Sequence, residues 1–67
     1  MNADVAISSH GSIVLFDLLT PAAQWWAKEH VDPDAQWFGG ALVVEHRYVE
    51  DLASGMGGDG LLVQVQR

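Results

Sequence analysis

Apolar and polar residues alternate, run together or recur every third and fourth position along this chain, and each pattern predicts a different element. "VAIS" and "SIVLFDLL" read as two strands separated by "SSHG", where Gly11 is free to take the positive φ of a tight hairpin. The first is short and reads as an edge strand. The second carries apolar residues in both parities, Ile13 and Leu15 on one, Val14, Phe16 and Leu18 on the other, which suits a central strand with little solvent on either face.

"LTPAAQWWAKEH" carries a helix start. Thr20 can accept from an orphan amide and Pro21 fits the first helical position, so a helix is predicted to run to about His30. "VDPDAQ" follows as a turn, and "GGALVVEH" reads as the third strand. From Arg47 to Met56 the period changes: Val49, Leu52, Ala53 and Met56 share one helical face, and Glu50 and Asp51 are placed in the first turn, where the helix dipole favours negative charge. "LLVQVQ" alternates as a half-buried strand. The predicted fold is a single α/β (α+β) domain over residues 1–67, a two-layer sandwich in the order β-β-α-β-α-β. About four strands are joined through two β-α-β crossovers that set both helices on one face.

"GMGGDG" matches G-x-G-x-x-G through Gly55, Gly57 and Gly60, the spacing of a dinucleotide loop. That loop must follow a strand and open a helix, whereas these glycines follow a helix and precede a strand, where the exposed groups are carbonyls that repel phosphate. They are expected to end the helix, with Gly57 or Gly58 left-handed.

Composition narrows the chemistry. A chain of 67 residues has little apolar surface to bury, and with no cysteine it has no disulfide to compensate and no thiol nucleophile. A tight core or self-association is left. Nine acidic residues against three basic ones give a net charge of −6, which disfavours nucleic-acid binding and suits a basic partner. The N-terminal stretch has neither a positive start nor a long apolar run, so a soluble, unprocessed, cytoplasmic protein without membrane contact is expected.

No catalytic residue is expected. Ser8, Ser9, Ser12 and His10 cluster in a turn that offers no oxyanion hole or water-excluding cleft. The three histidines lack a recognised ligand spacing, and no metal or cofactor is expected. One alternative stays open: if the central strands are parallel, Asp17 and Glu45 meet at their C-terminal ends beside His46 and form a small-ligand or metal site.

Trp25 and Trp26 point about 100° apart on a helix, so one belongs to the core and the other is exposed as a binding anchor. With both helices on one face, the other face is predicted to show Ile13, Leu15, Ala41, Val43 and Leu62, with Gln64 and Gln66 nearby. The segments "HGSIVL", "LTPAAQWW" and "DAQWFGGALVVEHRYVEDLASGM" resemble a group of small bacterial proteins often found in mobile-element settings. The resemblance implies a bacterial or prophage product and places no functional residue.

The residues thus point to a non-enzymatic, acidic protein-interaction module that docks on another protein or on itself. It would use Trp25 or Trp26, the open-face residues Ile13, Leu15, Val43 and Leu62, and the acidic Glu50 and Asp51. A narrower form is a mobile-element inhibitor that turns its negative surface on a nucleic-acid-binding host protein, with Asp32 and Asp34 contributing.

Overall fold

The computed structural model describes residues 2–66 as one mixed sheet with two helices. In chain order the elements are β1 (Val5–His10), β2 (Ile13–Leu18), α1 (Pro21–His30), β3 (Trp37–Phe38), β4 (Ala41–Glu45), α2 (His46–Gly58) and β5 (Val63–Gln66). The α+β two-layer class is the predicted one, with five strands rather than four, in the order β3-β4-β2-β1-β5.

Two glycine hairpins set much of the pairing. Gly11 at φ 69° turns β1 into β2, and Gly39 at φ 61° turns β3 into β4. The second hairpin explains the extra strand: Trp37 and Phe38 pair with Leu42 and Ala41 across the diglycine turn. β2 is antiparallel to both β1 and β4, and β5 lies parallel to β1. Both helical connections join parallel strands, β2-α1-β3 with β4 inserted between its two strands and β4-α2-β5, but β4 itself, the expected end of the first crossover, lies antiparallel to β2. β1 is not an edge, because β5 covers its outer side.

Both helices pack on one face. Val5, Ile7, Val14, Phe16, Leu18, Leu42 and Val44 of the sheet form a buried cluster with Ala23 and Ala27 of α1 and Met56 of α2. The alanines, four apart and therefore on one side of α1, bring that helix close to the sheet. Val49, Leu52 and Ala53 complete the predicted stripe of α2. The α2 boundary differs from expectation. It starts at His46, directly from the end of β4 with no side-chain cap, so Glu50 and Asp51 fall in its second turn. Its last residues include Gly55, Gly57 and Gly58, and the left-handed position is Gly60, at φ 90°, rather than Gly57 or Gly58.

The end of the sheet where β1 begins is tied by Asp4. Its Oδ1 accepts from the Thr20 hydroxyl at 2.7 Å, and its Oδ2 accepts from the Leu62 amide at 2.8 Å. The Thr20 Oγ1 in turn accepts from the Ala23 amide at 3.2 Å, capping α1. The two bonds to its carboxylate, first from the Leu62 amide and then from Thr20, hold the Asp4 carboxyl below the usual carboxylate range. In a chain without cysteine this relay joins β1, α1 and the approach to β5.

Candidate interaction surface

Residues directly opposite on neighbouring strands point to the same face, so the register maps the side that neither helix covers. One row runs Phe38, Ala41, Asp17, Ala6, Gln64; the next runs Val43, Leu15, Ser8, Gln66; the third holds Glu45, Ile13 and His10. The β3-β4-β2 half is therefore apolar apart from Asp17 and Glu45 at its two ends, and the β1-β5 half carries hydroxyl, imidazole and amide groups. Phe38 is 71% exposed and Ile13 37%, while Leu15 and Val43 are half-buried by their neighbours. β2 is central in order, yet one of its faces meets solvent, because both helices went to the other side.

The structure brings Ile13, Leu15, Ala41 and Val43 together as expected and adds Phe38, which the sequence reading left out. Leu62 is not among them. It lies before β5 at the far side of the sheet, with its amide and carbonyl both bonded to Asp4.

The strand-end constellation is not formed. β2 and β4 are antiparallel, with Asp17 opposite Ala41 and Glu45 opposite Ile13. Four residue steps separate the two carboxylates along the strands, about 13 Å. His46 donates from Nε2 to the Gly11 carbonyl at 2.8 Å and so braces the first hairpin against α2. Among the described residues, no three of His, Asp and Glu gather into a group able to hold a metal ion.

The tryptophans divide as predicted. Trp25 is 63% exposed, with the Lys28 ammonium 5.7 Å from its ring centre. Trp26 is half-buried: its Nε1 donates to Asp59 Oδ2 at 2.6 Å, and its ring stacks on His30 with centroids 4.3 Å apart. The carbonyl of Trp26 accepts from His30 Nδ1 at 2.9 Å. This arrangement fastens the end of α1 to the end of α2 and leaves Trp25 as the exposed member of the pair; Trp37 on β3 is 48% exposed as well.

Charge is distributed unevenly. Two ion pairs join the described residues, His30 with Asp59 at 3.9 Å and Arg47 with Glu45 at 3.5 Å, both exposed and of small energetic weight. Glu50 and Asp51 stay exposed on α2, in the layer opposite the open sheet face, so one flat partner does not span both features. Asp17 and Glu45 are the acids on the open face itself.

Comparison with protein families, curated proteins and solved structures finds no match to this chain. No helix among the described residues is long and apolar enough to cross a membrane.

Proposed function

We propose that this chain is a non-enzymatic protein-interaction module that docks a basic partner protein on the uncovered face of its sheet. The observation that carries this reading is the register-matched apolar group Phe38, Leu15, Val43 and Ile13 on the face opposite the helices, with the buried Ala41 in the same rows. Contiguous apolar surface of this kind marks interaction sites. A standard interface covers roughly 800 Å² per partner. Against a total accessible surface of 4739 Å² that is about a sixth, so the polar β1-β5 half belongs to the contact as well.

Charge selects a basic protein over a second copy. At a net charge of −6 two copies repel, and of the described cations Lys28 sits on α1 while Arg47, at the start of α2, is paired with Glu45 at the rim of the open face. A cytoplasmic setting suits the cysteine-free chain, and the inhibitor of a nucleic-acid-binding protein is the narrower form of the same reading.

The test compares wild-type and Val43→Asp baits in affinity capture from lysate, at low and high salt, after circular dichroism has shown both to be folded. A basic protein retained by wild type, released by salt and lost by Val43→Asp supports the reading. Identical capture by both baits overturns it. Sedimentation of the purified chain decides against a basic partner if it shows a stable dimer that Val43→Asp dissociates.

A further inference from the structure

β5 ends the sheet on one side, and the bonds around Leu62 fix which way its backbone groups point. The Leu62 carbonyl accepts from the Asp4 amide at 2.8 Å and from the Val5 amide at 3.1 Å, and the Leu62 amide donates to Asp4 Oδ2 at 2.8 Å. In a parallel ladder alternate residues turn their N–H and C=O to the same neighbour, so Leu62, Gln64 and Gln66 address β1. Val63 and Val65 aim both groups away from the sheet. No described strand lies there to receive them.

The side chains show the same interruption. One core-facing row runs through Leu42, Phe16, Ile7 and Val65. The first three are buried, whereas Val65 is 67% exposed. The next row, Leu18, Val5 and Val63, stops at the same edge. Sheet edges are ordinarily protected by lysine, proline or a bulge. Residues 61–66 have no proline and no charge, and β5 pairs with β1 residue for residue, without a bulge. The opposite edge differs, because β3 is two residues long and runs into the Gly39-Gly40 turn.

A second copy fits this edge. Val63-Gln64-Val65 reads the same in both directions, so an antiparallel pairing centred on Gln64 sets each Val63 against Val65 of the other copy, in narrow pairs that exchange both N–H···O bonds. A register centred on Val63 would need Leu61, whose amide already donates to the Met56 carbonyl at 3.0 Å. Residues directly opposite share a face, so the interrupted core row continues from Ile7 and Val65 into Val63 and Val5 of the other copy. Charge opposes this contact less than it opposes one through the open face: neither β1 nor residues 61–66 hold a carboxylate, and Asp4 beside them has both oxygens bonded.

We propose that β5 is a self-association edge, through which two copies join antiparallel into one continuous sheet with both open faces on the same side. A joint of one strand pair belongs to the small, transient class of interfaces, under about 1,200 Å² in total, so the dimer forms at about 0.1–1 mM. It leaves the open face free and stands whether or not that face takes a partner.

The experiment is sedimentation equilibrium of the full chain from about 10 µM to about 1 mM, joined to disulfide trapping, which a cysteine-free chain keeps unambiguous. The chain is expected to pass from monomer to dimer, and to associate more strongly as salt screens its charge of −6, the reverse of a contact with a basic protein. Val65→Lys, at an exposed position, weakens association by about 10-fold, because it removes both Val–Val contacts and charges the edge. Val43→Asp, on the open face, leaves it unchanged. Gln64→Cys stands at the two-fold axis, in the pair whose Cβ atoms lie about 4.5–5.5 Å apart, and cross-links the copies on mild oxidation. Gln66→Cys, about 13 Å from its counterpart, does not. A monomer at every concentration and salt overturns the proposal. So does a dimer dissociated by Val43→Asp and not by Val65→Lys, which places the contact on the sheet face. Equal cross-linking of the two cysteine variants, or growth beyond a dimer, overturns it too, since a single such edge on each copy closes the assembly at two. Should Val65→Lys not fold, the trapping pair carries the test.

Discussion

Along β2, Val14, Phe16 and Leu18 are all buried, while Ile13, Leu15 and Asp17, one residue away on the opposite face, are exposed or half-buried. Four of the five apolar side chains in that list are branched aliphatics, so hydrophobicity does not separate the two sides. What separates them is that Ala23, Ala27 and Met56 approach from one direction. The first face is a core held to close-packing rules, and the second is a surface free to accept another molecule.

The sharpest way to break this contrast is Phe16→Ala. Removing a fully buried ring costs about 3–5 kcal/mol. A 67-residue domain has only roughly 3–10 kcal/mol in total, so urea unfolding should show the variant largely unfolded or close to it. Asp4→Asn comes next, because it weakens the relay to Thr20 and Leu62. The folded carboxyl is held below its ordinary range, so its stabilisation is complete at neutral pH and is lost as pH falls through the acid range. Thermal melts against pH should therefore show a flatter acid limb in Asp4→Asn than in wild type.

Gly55→Ala should raise stability by about 0.4–1 kcal/mol in the same urea assay. The added Cβ would meet Trp26 at 3.5 Å, an ordinary contact, within a helix that otherwise has glycine there. The smallest effect belongs to the open face: Val43→Thr should change stability by no more than about 0.5 kcal/mol. If it destabilised the fold as Phe16→Ala does, the two faces would not differ in the way argued here.

Local signals were legible. Thr20 and Pro21 do start α1, Gly11 does turn the first hairpin, the stripe Val49, Leu52, Ala53 and Met56 does face the core, and four open-face residues were read correctly. Long-range pairing was not. Whether β4 lies parallel or antiparallel to β2 depends on how the chain returns after α1, and the Gly39-Gly40 hairpin decides it by sending β4 back alongside β3. The diglycine was visible but read as the start of a strand, so Asp17 and Glu45 were brought to the wrong end of each other. The start of α2 was unmarked because Glu45 supplies no capping bond. Asp4 could not be singled out, because one of its partners lies 58 residues away.

The parallel pairing of β1 with β5 has a consequence for folding. The outer edge of β1 is covered by a strand about 58 residues further along the chain, so until residues 63–66 dock, β1 shows a bare hydrogen-bonding edge on which another strand could pair.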